Sequence, residues 1–191
     1  MHASTAELFR DWHDFYLLVG TASATLVGLM FVAASIGASI FNADKQSAMS
    51  AFIGATVVHF SSVLFISILV AIPAHTFATL GGLVAAGGLA GLIYSGRIWV
   101  QIFIRRAFAT IDVADRLFYG VIPVLGYLLV TFAGVTLLMR SPLSPEALAV
   151  AVIVLLFAGI HNAWDMMSWM VLRTSAGLPP PPSEPPPPSS S

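Results

Sequence analysis

Five long stretches of the sequence contain few or no charged residues, and this feature constrains the fold more than any other. About 20 apolar residues in a helix cross the ~30 Å hydrocarbon core of a bilayer. Only 9% of the 191 residues are charged, whereas soluble domains carry about 25%. The sequence predicts an all-α integral membrane protein, a bundle of about five transmembrane helices. The predicted spans are residues 15–40, 48–72, 77–103, 117–139 and 146–172.

The two ends of the chain are predicted to lie outside the bilayer. Within residues 1–14, Ser4 and Glu7 have the spacing of a helix capping box, so we expect a short amphipathic helix at the membrane interface. Residues 173–191 are rich in proline and serine, which is typical of a disordered tail. A proline-recognising domain is a candidate partner for this tail, and a solvated tail without a partner is the simpler interpretation.

Basic residues are divided unequally between the two predicted sides of the membrane. Short cytoplasmic loops are enriched in lysine and arginine, and with five spans six basic residues fall on one side against two on the other. This distribution predicts a cell-membrane protein with its amino terminus outside and its carboxy terminus in the cytoplasm. If the second and third apolar runs form one re-entrant unit, the sidedness of everything upstream reverses. The six are Lys45, Arg97, Arg105, Arg106, Arg116 and Arg173, and the two are Arg10 and Arg140.

Five polar or ionisable residues fall within the predicted spans, where such groups are costly and often functional. Counted from the cytoplasmic helix ends at about 1.5 Å per residue, His59 and His161 share one depth. Arg97 and Asp165 share a shallower one. We therefore expect His59 to face His161 and Arg97 to meet Asp165. The predicted polar core consists of His59, Tyr94, Arg97, His161 and Asp165.

Three interpretations of this polar core remain open. The leading one is a pathway that moves or responds to a small solute or a proton, with His59 or His161 titrating beside Asp165. In the second, the same residues only fix helix packing, and the chain is a non-catalytic interaction or assembly subunit. In the third, His59 and His161 are the two axial ligands of a haem, although no cofactor is required by the sequence.

The sequence gives little support for an enzyme or a nucleic-acid-binding protein. There is no cysteine, and the metalloprotease, P-loop and Rossmann motifs are absent. Ser95 lies close in depth to His161, but the glycine-flanked motif of an intramembrane serine protease is incomplete. The net charge of −1 gives no basic field for nucleic acid. We therefore expect neither activity.

Small residues recur at four-residue spacing on the first and third spans, and such faces let helices pack closely in lipid. On the first span they are Gly20, Ala24 and Gly28. On the third, Gly82, Ala86 and Ala90 lie beside Gly87 and Gly91. We expect these faces to pack within one chain, with a homo-oligomer as the alternative.

The first span also carries several hydroxyl side chains, among them Thr21, Thr25 and Ser35. A ring of such helices could line a narrow pore. No acidic residue lies in this span to form a selectivity ring.

Overall fold

The computed structural model describes the backbone of residues 4–40, 43–104 and 117–175, and within these ranges every regular element is helical. Side chains are described for residues 4–36, 54–98, 100 and 117–168. The basic residues at 105, 106 and 116 and the tail from residue 176 onward lie outside the described residues. The elements are α1 (Thr5–Leu8), a 3₁₀ turn (Arg10–Trp12), α2 (His13–Ile40), α3 (Ala43–Ala71), α4 (Phe77–Ile104), a π-helical turn (Leu117–Val121), α5 (Ile122–Leu138) and α6 (Ser144–Ser175).

In the described part of the chain, five helices are long and apolar enough to cross a membrane, and they follow the order of the five predicted spans. Helix α4 is continuous over 28 residues, which corresponds to about 42 Å. The third apolar run is therefore long enough for a full crossing rather than half of a re-entrant unit. Helix α6 continues through Ser175 and so includes the first residues of the predicted tail.

The amino-terminal segment forms less helix than the sequence predicts. Its capping box is present, since the Glu7 amide donates to the Ser4 hydroxyl and the Ser4 amide donates to the Glu7 carboxylate. The helix that follows is a single turn. The Thr5 hydroxyl donates to the carbonyl oxygen of His75 in the α3–α4 turn, and Phe9 is buried against Tyr16. The segment thus folds over one end of the bundle.

We call this end, which also carries the α3–α4 and α5–α6 turns, the upper end, and the opposite end the lower end. A buried aliphatic and aromatic cluster fills the upper half of the bundle, and Tyr16 ties α2 to the start of α6 by donating to the carbonyl oxygen of Pro145. Helix α2 packs mainly on α3, α3 on α6, α6 on α5, and α5 on α4. Helix α5 therefore lies between α4 and α6.

Glycines bring α4 and α5 into backbone contact. A Cβ atom added at Gly88 would lie 2.6 Å from the Thr131 amide nitrogen, and one at Gly134 would overlap the backbone of Ala85. Real Cβ atoms essentially never approach so closely, so only glycine fits at these two positions. Gly81 faces Gly134 in the same way. Small residues thus let α4 and α5 pack closely, as they do between helices in lipid. The face of α4 that makes this contact lies next to the predicted face of Gly82, Ala86 and Ala90.

The glycines and alanine predicted to pack are divided between close contacts and open surface. A Cβ at Gly20 would meet the Ser67 side chain at 2.8 Å, and Gly91 holds the ring of Tyr127. At Gly87 the nearest atom belongs to Phe65 at an ordinary 3.9 Å, and a Cβ at Gly28 would meet nothing within 4 Å. Ala24 is exposed. The outer face of α2 is therefore not a packing surface within this chain.

Substitution of Gly88 by alanine should destabilise the bundle, because the new methyl group must push α4 away from Thr131. We expect a loss of about 1–3 kcal/mol, the usual cost of overpacking, seen as a lower Tm of the protein in detergent. Gly82→Ala on the same helix is the matched control, since a Cβ there meets nothing within 4 Å. Equal stability of the two variants would contradict the described α4–α5 contact.

Candidate functional site

His59 on α3 lies near the middle of the bundle and is only 3% exposed. Its Nδ1 atom is 3.1 Å from the hydroxyl oxygen of Tyr127 on α5, which is 1% exposed. The same Tyr127 oxygen is 3.0 Å from the hydroxyl of Ser62, one turn above His59. Ser62 in turn donates to the backbone carbonyl of Val58 at 2.8 Å. The four groups form one chain of hydrogen bonds between α3 and α5.

The direction of this chain follows from the number of hydrogens available. A carbonyl oxygen can only accept, so Ser62 uses its single hydrogen on Val58. Tyr127 must then donate to Ser62, and having spent its own hydrogen it can only accept from His59. The Nδ1 atom of His59 therefore carries a hydrogen. In a neutral imidazole this leaves Nε2 without a hydrogen, as an acceptor.

The position of Tyr127 depends on a glycine of the neighbouring helix. A Cβ at Gly91 on α4 would overlap the ring carbons of Tyr127. The aromatic ring thus occupies the space that any side chain at residue 91 would take. A second glycine makes room for Phe60, the residue that follows His59 in the sequence. A Cβ at Gly159 on α6 would lie 2.5 Å from the Phe60 ring.

Above His59 the interior of the bundle is apolar. Its described buried side chains are aliphatic or aromatic apart from small hydroxyl groups such as those of Ser23 and Ser67. Aliphatic and aromatic side chains thus make up most of the described buried interior above His59. The buried set includes Val63, Ile66 and Leu69 on α3, Leu80 and Val84 on α4, Val130, Ala133 and Leu137 on α5, and Leu148, Val152 and Leu155 on α6.

Below His59 the buried interior is mixed, because apolar Met30, Ala55 and Met166 lie there beside buried polar side chains. Thr56, Ser95 and Asn162 are buried there, on three different helices. Tyr94 is half-buried, and its hydroxyl lies near Gly54 on α3, where an added Cβ would be 3.9 Å away. We call the described part of the bundle from His59 downward, which carries these polar side chains on three helices, the polar lower half.

His161 and Asp165 lie one turn apart on α6, with Nδ1 and Oδ2 2.9 Å apart and side chains that are 33% and 31% exposed. The ring of Phe118 is stacked flat on the His161 ring, with centroids 3.6 Å apart and planes 3° from parallel. The next residue, Tyr119, donates its hydroxyl hydrogen to the Asn162 carbonyl oxygen. Both aromatic residues belong to the π-helical turn, a rare conformation that often occurs at functional sites. Through these two contacts the turn packs the start of α5 against α6.

The structure does not bring the predicted pairs together. His59 contacts Tyr127, whereas His161 contacts Asp165 and Phe118. Arg97 is exposed on α4, a helix that packs on α5 rather than on α6. Depth counting places residues along the helix axis but does not say which helices are neighbours or which way a side chain points. With α5 between α4 and α6, the expected Arg97–Asp165 contact is not formed.

The haem interpretation requires both imidazoles to point at one iron. The Nδ1 atom of His59 is bonded to Tyr127, and one face of the His161 ring is covered by Phe118. The two imidazoles thus lie on different helices, and each contacts an aromatic partner of its own.

The sequence reasoning missed Tyr127, which bonds to His59, and Ser62, which bonds to Tyr127. Tyr127 lies in the middle of the fourth predicted span, and its polar hydroxyl at the depth of a histidine is the signal that could have found it. The hydroxyls of the first span have a local explanation instead. Thr21, Thr25 and Ser35 are exposed, and each donates to the backbone carbonyl four residues earlier, so this face of α2 does not line the bundle interior.

No protein-family model, no curated protein and no solved structure matches this chain. The function of the site must therefore be inferred from its own geometry.

The hydrogen-bond chain predicts the tautomer of His59. With ¹⁵N-labelled histidine and magnetic resonance of the neutral protein in lipid, we expect a protonated Nδ1 and an unprotonated Nε2. His59→Gln identifies the signal among the five histidines of the sequence. A His59 protonated only on Nε2 would contradict the direction of the bonds from His59 through Tyr127 to Ser62.

Gly91→Ala should disrupt the chain without altering any of its polar atoms, because the methyl group displaces the Tyr127 ring. We expect the His59 Nδ1 resonance to shift and the stability to fall by about 1–3 kcal/mol, through overpacking and unpaired buried groups. Gly87→Ala, one turn earlier on α4, is the control that should leave the resonance in place. An unchanged His59 resonance in Gly91→Ala would mean that Tyr127 is not held by Gly91.

Proposed function

We propose that this chain is a multi-pass membrane protein whose polar lower half binds and responds to a small solute or a proton that enters from the lower side. The helices α2 to α6 cross the bilayer in this proposal. From the distribution of basic residues, the lower side faces the cytoplasm and the membrane is the cell membrane.

The apolar surface of the bundle supports the proposal that it lies in a lipid bilayer. Large apolar side chains point outward along the helices, including Leu18, Phe31 and Phe157 at 69%, 67% and 64% exposure. The exposed hydroxyls of α2 are satisfied by their own helix, as the absence of water in a bilayer core requires. An apolar exterior of this extent is unusual for a soluble monomer.

The observation that carries the proposal is the boundary at His59. Above it the buried interior is a packed apolar cluster, and below it polar side chains from α3, α4 and α6 are buried or half-buried. A transmembrane pathway needs polar groups or water on both sides of its midpoint, whereas a site reached from one side needs them on one side only. The arrangement therefore favours response to a solute or proton over continuous conduction through this conformation.

His59 is the residue through which such a response would act. Its Nδ1 hydrogen is committed to Tyr127, and its Nε2 is an acceptor on the same imidazole. Binding at Nε2 changes the charge or polarity of a ring that is joined to α5 by the hydrogen-bond chain. A change at this residue is thus transmitted to a neighbouring helix.

One observation favours a second candidate, an assembly subunit in which the polar residues only lock the helices. The hydroxyl hydrogens of Tyr127 and Ser62 are both used in the hydrogen-bond chain that includes His59, as expected of a purely structural contact between helices. In that case the lower half is as closed to solvent as the upper half.

Accessibility to a small thiol reagent separates these candidates, and the absence of cysteine from the sequence makes the experiment clean. We expect Ser95→Cys, in the polar half, to react with a membrane-impermeant reagent added on the lower side and not with reagent added on the upper side. Val130→Cys, in the apolar half, is the matched control and should react from neither side. Protein abundance and Tm verify that both variants fold.

Each other outcome points elsewhere. Protection of both cysteines from both sides supports the assembly subunit. Reaction of Val130→Cys, or of Ser95→Cys from both sides, indicates a continuous pathway and overturns the one-sided proposal.

A further inference from the structure

Asn162 on α6 carries a buried amide side chain, which is 1% exposed. Neither its Oδ1 nor its Nδ2 has a hydrogen-bond partner among the residues that the structure describes. Buried polar groups in proteins are nearly always paired, and an unpaired one in a packed interior is costly and requires an explanation. Asn162 offers two donors and two acceptor positions in one planar group.

The buried neighbours of Asn162 on its own helix are apolar. Its helix neighbours one turn away are Ala158 and Met166, both buried, and Met166 packs with Met30 and Phe60. Gly159, which contacts Phe60 beside His59, lies three residues above, or about 4.5 Å along the helix axis. Asn162 is thus within about one turn of His59 in depth, on the polar side of the boundary.

The charge of the lower half restricts what can bind there. Of the described polar side chains that are buried, none carries a fixed charge, and the charged groups Arg97 and Asp165 lie at exposed or partly exposed positions. A charged solute at Asn162 would lose its hydration without a buried counter-charge, which is strongly unfavourable. A neutral solute with a donor next to an acceptor would pair with the amide edge to edge.

We infer that Asn162 is the anchor of a binding site for a small uncharged solute with adjacent hydrogen-bond donor and acceptor groups, such as a primary amide or a protonated carboxylic acid. This inference rests on the proposed function, because it names the class of solute that the polar lower half takes. Asn162 binds the solute through both amide atoms, and the solute reaches it from the lower side.

Selective ¹⁵N labelling of asparagine side chains tests the inference directly, since the sequence contains only Asn42 and Asn162. The protein in lipid nanodiscs is titrated with acetamide and, separately, with acetate, an isostere that carries a charge at neutral pH. We expect acetamide to shift the Asn162 side-chain resonances saturably. Acetate should have no such effect, and Asn42 is the internal control.

A second readout uses Asn162→Leu, which keeps the size of the side chain and removes its polar atoms. Because the wild-type amide is unpaired, this variant should have a Tm equal to or higher than that of the wild type. Acetamide should raise the Tm of the wild type and leave that of Asn162→Leu unchanged. A markedly lower Tm of the variant would mean that Asn162 has a structural partner, and it would overturn the inference.

The remaining outcomes are also decisive. If Asn162 and Asn42 move in parallel with acetamide, or if the Asn162 amide exchanges rapidly with deuterated water but ignores acetamide, the amide is merely hydrated and the inference fails. Equal effects of acetamide and acetate would overturn the restriction to uncharged solutes. None of these results bears on the accessibility of Ser95→Cys, so the inference can fail while the proposed one-sided access stands.

Discussion

The contact between α4 and α5 is the constraint on which the site depends. At Gly88 and Gly134 the two backbones approach so closely that a Cβ atom would overlap the neighbouring helix. The same approach continues to Gly91, where the ring of Tyr127 fills the space beside α4 and its hydroxyl reaches His59 on α3. The close packing of two helices thereby sets the position of a polar group that belongs to a third.

The hydrogen-bond chain in turn marks where the interior changes character. Toward the upper end, aliphatic and aromatic side chains pack under the amino-terminal segment, which Thr5 and Phe9 hold in place. Toward the lower end, Thr56, Ser95 and Asn162 are buried on separate helices. The proposed response from one side rests on this asymmetry. The π-helical turn adds a contact of its own, since Phe118 and Tyr119 bind adjacent residues of α6.

Sequence reasoning identified His59, His161 and Asp165 as polar residues within the spans and correctly noted the four-residue spacing of the last two. It also expected partners that the fold does not provide. The depth comparison used only positions along the helix axes. Arg97 and Asp165 do not meet because α5 lies between their two helices. The depth of Tyr127 marks it as a candidate, but its contact with His59 joins residues 68 positions apart, and only the packing of α3 and α5 shows that the two side chains meet.

The amino-acid order alone is enough to predict five long apolar helices, because a helix satisfies the backbone of an apolar run of this length and because charges, prolines and glycines interrupt the runs at readable positions. Which helices are neighbours, and which of the many small residues lie at their contacts, became clear only from the tertiary structure. Gly88 and Gly134 lie at a contact while Gly28 faces outward, although all three belong to similar apolar sequence. The physical reason is that helix association in such chains depends on close van der Waals fit between two surfaces, and fit is a property of the pair rather than of either helix.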